Sequence, residues 1–239
     1  MTLCILNIGN THVRMDIDGK ETKIPTGGFT PEMIPAGIPC AASSVVPALT
    51  AKIREKRPDI FWITKDTPGI PDLSQVEAEK LGADRIANAS KLLLDGILPA
   101  MTIDCGTAVN CEIVDENGVY RGGAIFPGRL LLRKSLNLFT AQLPVFPLYD
   151  DLPEFPGRSS ISDLRWGTDA LLIAGIQNII EKTKAIFPGK SLRIVACGGD
   201  CEFIMRHIPG MEYGGADFTK DGIRALYKNA MERESLWHV

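Results

Sequence analysis

No stretch of this chain stays apolar for the ~18 residues that a membrane-crossing helix requires. The first residues, Met1-Thr2-Leu3-Cys4-Ile5-Leu6-Asn7, put no basic segment ahead of their short apolar run, so no signal peptide is expected. An excess of positive charge is missing too: 26 Lys and Arg against 29 Asp and Glu leave a net charge of −3. Such a balance draws the chain toward neither nucleic acid nor an anionic lipid surface. Histidine is scarce, at three residues (His12, His207 and His238), and none of the six cysteines falls in a Cys-x-x-Cys. Zinc is therefore a poor reading. Cys4, Cys40, Cys105, Cys111, Cys197 and Cys201 lie mostly in apolar, strand-like contexts, as reduced and buried thiols of a cytoplasmic protein would. Low-complexity tracts are absent as well. What remains is an ordinary globular chain of 239 residues, 45% apolar and 23% charged, with core enough for one large domain or two modest ones.

The most informative stretch is Thr102-Ile103-Asp104-Cys105-Gly106-Thr107-Ala108-Val109-Asn110. An apolar approach delivers an aspartate and then a Gly-Thr pair, and a second apolar strand leads away. Gly106 lets backbone come close to a ligand. Successive N–H groups at such a turn make an anion-sized concavity, to which the Thr107 hydroxyl adds a donor. Asp104, at the mouth, could hold a cation. Ile5-Leu6-Asn7-Ile8-Gly9-Asn10-Thr11 repeats the plan, with Asn7 in the place of Asp104 and Gly9 in that of Gly106. A repeat of this kind predicts two related halves.

Residues 3–8 and 12–18 read as strands joined by Gly9-Asn10. Residues 24–39, rich in Gly and Pro, read as irregular. A short buried strand from Cys40 ends in Ser43-Ser44, Pro47 opens a helix through about Lys56, and residues 60–64 read as another strand. Ile86, Ala89 and Leu93 give a helix with one apolar face. Its start, near Gly82–Asp84, places Asp84 and Arg85 at the positive end of a helix dipole. Pro99 marks a boundary between residues 1–99 and residues 100–239, each with its own hairpin. After the turn at residues 115–118, Gly122-Gly123 and Pro127-Gly128 flank a short apolar strand. A helix is predicted over 130–139 and a proline-rich loop over 142–157. Helical segments over 161–187 are expected to break at Gly167 and Gly175. A buried strand over 192–196 runs into Gly198-Gly199, a turn fit for close approach of a flat ring such as adenine. A last helix is predicted over 219–232. Strand clusters with helices between them make an α/β protein with mixed sheets.

Seven motifs in order resemble one family, the type III pantothenate kinases, a group that includes the Bvg accessory factors. They are Gly9-Asn10-Thr11, Ser43-Ser44-Val45-Val46-Pro47, Gly82-Ala83-Asp84-Arg85, Asp104-x-Gly106-Thr107-Ala108, Gly122-Gly123-x-Ile125-x-Pro127-Gly128, Ala141-x-Leu143-Pro144 and Gly198-Gly199-Asp200. The resemblance implies the two-lobed fold of acetate and sugar kinases, Hsp70 and actin, built from duplicated ribonuclease H-like halves with ATP in the cleft between them. It implies a homodimer that phosphorylates pantothenate at its terminal hydroxyl, the first step toward coenzyme A, with a divalent cation such as Mg2+ and a monovalent one such as K+ or NH4+. Carried over, Asp84 would be the general base, and Gly82, Ala83, Asp84 and Arg85 would contact pantothenate. Asp104 would hold the monovalent cation and Thr107 would contact ATP. Asn7, Gly9, Asn10, Thr11 and Gly106 would cradle phosphates, with Gly198 and Gly199 at the adenosine.

Four positions depart from the family's pattern. Asn7 replaces an aspartate beside the Mg–ATP phosphates, which keeps a hydrogen-bond acceptor but loses the charge that attracts a cation. Gln75 stands for a substrate-contacting tyrosine, Ser160 for a substrate-contacting threonine whose hydroxyl it retains, and Asn110 for a threonine. These exchanges leave two alternatives beside the kinase: a nucleotide-binding or regulatory member without full activity, and a kinase for another small alcohol.

Overall fold

The structure, a computed structural model, describes residues 2–236; His238 lies outside them. It divides into two compact units. The first comprises Met1–Leu98, Val114–Arg121 and Asp217–Val239, and the second Pro99–Ile113 and Gly122–Ala216.

The first unit contains the strands β1 (Cys4–Ile8), β2 (His12–Ile17), β3 (Lys20–Pro25), β4 (Cys40–Ser44) and β5 (Phe61–Trp62), in the order β3-β2-β1-β4-β5. The first three run antiparallel to one another, and β4 and β5 join parallel to β1. The side-chain period of two explains why β1 is apolar at every position but Asn7. Cys4, Leu6 and Ile8 enter one buried cluster with Leu49 and Ile53, while Ile5 enters another with Ile86, Ile223 and Leu226. Both faces of the strand are covered. Covering one face is α1 (Pro47–Lys56), which starts on its proline as expected. The other face is covered by α2 (Ala83–Leu94) and α7 (Phe218–Leu236). Gly222 of α7 lies so near Ala87 that a Cβ there would collide with the Ala87 carbonyl oxygen. This close crossing ties the last helix to the first unit, although it follows residue 99 in the chain.

The second sheet holds β6 (Ala100–Cys105), β7 (Ala108–Val114), β8 (Tyr120–Pro127), β9 (Arg193–Cys197) and β10 (Glu212–Gly215), in the order β10-β9-β6-β7-β8. That is the order of the first sheet again, with β6 in the place of β1, β7 in that of β2 and β9 in that of β4. Its core gathers Met101, Ile103 and Cys105 with Leu172, Ile176 and Ile204. The helices of this unit are α3 (Arg129–Phe139), α4 (Ser160–Arg165), α5 (Leu171–Ile186) and α6 (Cys201–His207). The expected break at Gly175 does not occur, since α5 passes through it unbroken; a helix-interior glycine costs only about 1 kcal/mol. At Gly167 the chain keeps its helical course but widens into a π-helical turn, Trp166–Ala170. Residues 24–39, expected to be irregular, begin with the end of β3 and include two short 3-10 turns. All six cysteines are buried and free of disulfides. Among the described residues no helix is long and apolar enough to cross a membrane.

Candidate functional site

In the first unit, the β1–β2 turn is Gly9-Asn10-Thr11. The Gly9 N–H donates to the His12 carbonyl at 3.0 Å, and the Gly9 carbonyl accepts from the Thr26 hydroxyl at 2.7 Å. Asn10 and Thr11 are exposed at the turn. Asn7, two residues before Gly9, pairs in register with Ser43 of β4, and the Ser43 hydroxyl donates to its Oδ1 at 3.0 Å. Sequence reading missed Thr26, whose role depends on a tertiary contact across 17 positions.

Asp84 sits in the first turn of α2, after the N-cap Gly82. Its Oδ1 accepts the Arg85 backbone N–H at 2.8 Å. Burial pushes the carboxyl's pKa up; the Arg85 N–H and the Arg85 charge oppose this but do not cancel it. Gly82 has a reason to be glycine. A Cβ there would stand 2.6 Å from Asp84 Oδ1 and 3.4 Å from Val45 Cγ1, so the missing side chain is what makes room for the carboxylate. Beside Gly82 and Ala83 a cavity of about 680 Å3 opens toward Ser44, Thr50, Arg54 and Trp62. The Arg54 guanidinium lies 5.0 Å from the centre of the Trp62 ring. Gln75 is not among the residues lining this cavity; it is exposed in a turn where the Ser74 N–H donates to Asp72 Oδ1 at 2.8 Å.

In the second unit, the β6–β7 turn is Gly106-Thr107, both exposed, and the Gly106 N–H donates to Ala108 O at 3.0 Å. Asp104 is half-buried and in register with Cys197 of β9. Gly198 follows with φ of +85°, a conformation that strains any L side chain. A Cβ there would meet Asp104 Oδ1 at 2.5 Å and Cys105 O at 2.6 Å. One carboxylate and one carbonyl oxygen thus converge beside Gly198, donors of the hard-oxygen type that group I and II cations favour. Gly199 differs: it is exposed, and no protein atom lies within 4 Å of a Cβ placed on it. No packing demand explains that glycine. Ser160 opens α4 and is exposed beside the capping residue Ser159, whose hydroxyl accepts the Ser162 N–H at 3.2 Å. Asn110 is half-buried in β7.

The structure therefore gathers the expected residues into three local groups: Asn7 with the Gly9 turn, Gly82 with Asp84 and Arg85, and Asp104 with the Gly106 and Gly198 turns. Each has a chemical character of its own, respectively an exposed turn carrying the Asn10 amide and the Thr11 hydroxyl, a carboxylate suited to accept a proton, and an oxygen pair beside two glycine turns.

Comparison with known proteins identifies the family. The profile of a family described as type III pantothenate kinase matches residues 9–182. A type III pantothenate kinase of Rubrobacter xylanophilus is 32% identical over 77% of this chain and 74% of its own length. One from Gloeobacter violaceus is 30% identical over 86% of this chain and 89% of its own. Among solved structures, a Baf family protein from Campylobacter jejuni superposes with a TM-score of 0.69 at 20% identity, covering 96% of this chain and 98% of that one. The activator of a 2-hydroxyisocaproyl-CoA dehydratase from Clostridium difficile, with bound ADPNP, gives 0.54 at 14% identity, covering 100% and 98%. At such identities the likeness speaks for the fold alone, an α/β architecture with two mixed sheets of one strand order.

Proposed function

Because this chain belongs to the type III pantothenate kinase family, we propose that it transfers the γ-phosphoryl group of ATP to the terminal hydroxyl of pantothenate, giving 4'-phosphopantothenate and ADP. The observation that carries the reading is Asp84: a carboxyl fixed at the start of α2, given room by Gly82 and shifted upward in pKa by burial. A general base that must take an alcohol proton near neutral pH benefits from that shift.

In this reading the Asp84 carboxylate accepts the hydroxyl proton as the pantothenate oxygen bonds to the γ-phosphorus. The bond from that phosphorus to its bridging oxygen breaks, and ADP keeps the electron pair. Little covalent work falls to the protein, so positioning and charge neutralisation supply most of the acceleration. Gly82, Ala83 and Arg85 orient the substrate around Asp84. The Asn10 amide and the Thr11 hydroxyl offer donors to phosphate oxygens, as does the Thr107 hydroxyl, while the Gly9 and Gly106 N–H groups shape their own turns. Gly198 and Gly199 receive the adenosine. A divalent cation supplies charge neutralisation at the phosphates when bound, and the Asn7 amide oxygen is suited to hold a water of its shell. The Asp104 carboxylate, with Cys105 O close by, suits K+ or NH4+.

A homodimer is part of the proposal. Leu138, Phe139, Phe155 and Leu171 of the second unit are 74%, 82%, 71% and 60% exposed, apolar side chains that a second copy of the chain would cover. Six buried cysteines without a disulfide suit a reducing compartment, and a cytoplasmic location is proposed on that ground.

The test is ATP turnover by the purified chain with pantothenate, Mg2+ and K+ or NH4+, beside Asp84→Asn. Pantothenate-dependent ADP release that disappears in Asp84→Asn is the expected result. ADP release that ignores pantothenate, or survives in Asp84→Asn, would overturn the proposal.

A further inference from the structure

Within the second unit, an ion pair between a buried arginine and a half-buried aspartate joins the two glycine turns assigned above to the nucleotide. Arg129 opens α3 directly after Gly128, and Asp200 precedes α6 two residues after Gly198. Their side chains meet through two hydrogen bonds: Arg129 Nε donates to Asp200 Oδ2 at 2.7 Å, and Nη2 donates to Oδ1. The Arg129 side chain is only 2% exposed, so this is not a solvent-screened surface contact.

The backbone on each side of the pair is bonded to one and the same hairpin. The Gly128 N–H donates to Thr107 O at 2.9 Å, and the Asp200 N–H donates to Cys105 O at 3.0 Å. A Cβ on Gly128 would collide with Gly106 O, and one on Gly198 would stand 2.6 Å from Cys105 O. Hairpin, Gly128–Arg129, Asp200 and back to the hairpin thus form a closed ring, which the guanidinium–carboxylate bridge closes through side chains. The guanidinium is itself held from other sides. It lies 3.4 Å from the centre of the Phe203 ring, donates to Tyr149 O at 2.7 Å and approaches Asp169 Oδ2 at 3.6 Å. A planar fork clamped in this way has almost no freedom, so the carboxylate it holds is fixed as well.

We propose that the Arg129–Asp200 pair is a positioning device for the nucleotide. It sets the distance between the Gly106-Thr107 turn, which takes phosphates, and the Gly198-Gly199 turn, which takes the nucleoside; neither side chain needs to touch the ligand. The inference rests on the ATP reading above. Its signature is selective. A ligand that spans both turns depends on their spacing, whereas a ligand that occupies only one does not.

The experiment compares the intact wild-type chain with Asp200→Asn, which keeps the shape but gives up the carboxylate charge and one acceptor. Binding is measured for a non-hydrolysable ATP analogue, adenosine, inorganic triphosphate and pantothenate. The analogue should bind about tenfold more weakly, a modest share of what misplacement by an ångström can cost. Adenosine, triphosphate and pantothenate should bind as before, and KM for ATP should rise with KM for pantothenate unmoved. If Asp200→Asn fails to fold, Arg129→Lys carries the same comparison, since it keeps the buried charge and loses the fork. Undiminished analogue binding, or equal weakening of all four ligands, would overturn the positioning role. Failure of the wild-type chain to bind the analogue at all would overturn the nucleotide reading along with it.

Discussion

The Ser43 hydroxyl donates to Oδ1 of Asn7 at 3.0 Å, between residues that stand in register across the parallel β1–β4 pair. The same bond would serve a carboxylate at position 7, and would strengthen as a charge-assisted one. Asn7→Asp should therefore fold as the native chain does and bind its divalent cation more tightly. The half-saturating Mg2+ concentration of turnover should fall on the order of tenfold, the scale of one added carboxylate charge near a divalent ion. A magnesium titration of both chains checks this, and superposable curves would remove any metal role for position 7.

Gly82→Ala tests the space that Asp84 needs. The backbone at Gly82 has φ of −61° and ψ of 140°, which alanine adopts without strain. Only the new methyl, 2.6 Å from Asp84 Oδ1, disturbs the site, and it must turn the carboxylate aside. We expect kcat to fall by about 10- to 100-fold with the melting temperature and KM for ATP little changed.

Asp84 also makes a pH prediction in two parts. As a base it works deprotonated, so kcat/KM should rise with pH through a pKa above that of an ordinary aspartate, the direction in which burial moves it. Asp84→Asn should remove this limb along with most of the activity, a loss of about 10²–10⁴. Stability runs the other way. A carboxyl whose pKa is raised by folding stabilises the fold while protonated and loses that contribution as pH climbs through the folded pKa. Asp84→Asn should therefore melt higher than the native chain at neutral pH. That advantage should shrink as the solution is acidified below the pKa of an unfolded aspartate, and thermal melts at several pH values measure it.

Lys220 is buried among carboxylates of the first unit. Its ammonium meets Glu21, Asp217 at 2.9 Å and Asp16 at 3.6 Å. Burial alone would lower its pKa, but the bonds from Glu21 and Asp217 outweigh that and raise it. Asp16 keeps a second partner in Arg224 at 2.8 Å, so Lys220→Met strands only part of the negative charge. The expected cost is about 3 kcal/mol, near the lower end for a broken buried pair, read as an earlier urea midpoint.

Local chemistry made much of this molecule legible. Pro47 placed the start of α1, the Ile86, Ala89 and Leu93 spacing placed α2, and the repeated Gly9 and Gly106 turns announced two related halves, whose sheets share one strand order. What escaped was long-range or masked by charge. β3 has only one residue that is not exposed, Ile24, so an edge strand of Lys, Glu and Thr carries no alternation to read. Arg129, Arg133 and Asp169 look like solvated helix positions in the sequence, yet all three are buried, with Arg133 Nη2 within 2.7 Å of both Asp169 oxygens. No period in the sequence reports a pairing across 36 positions. The return of α7 to the first unit was likewise invisible, because chain order says nothing of which helix a final apolar stripe will meet.

The placement of α7 bears on how the chain is made. A ribosome delivers residues in order, and every residue of the second unit, which ends at Ala216, has emerged before Phe218 begins the helix that covers β1 and α2. Domains generally fold as units, the N-terminal one first during synthesis. Here the order of completion is reversed: the later-encoded unit can finish while the earlier one still waits for its last helix, with Ile5, Ile86 and Ala87 uncovered. A nascent chain stalled before residue 217 should accordingly protect the β6–β7 hairpin from protease and leave α2 open to cleavage.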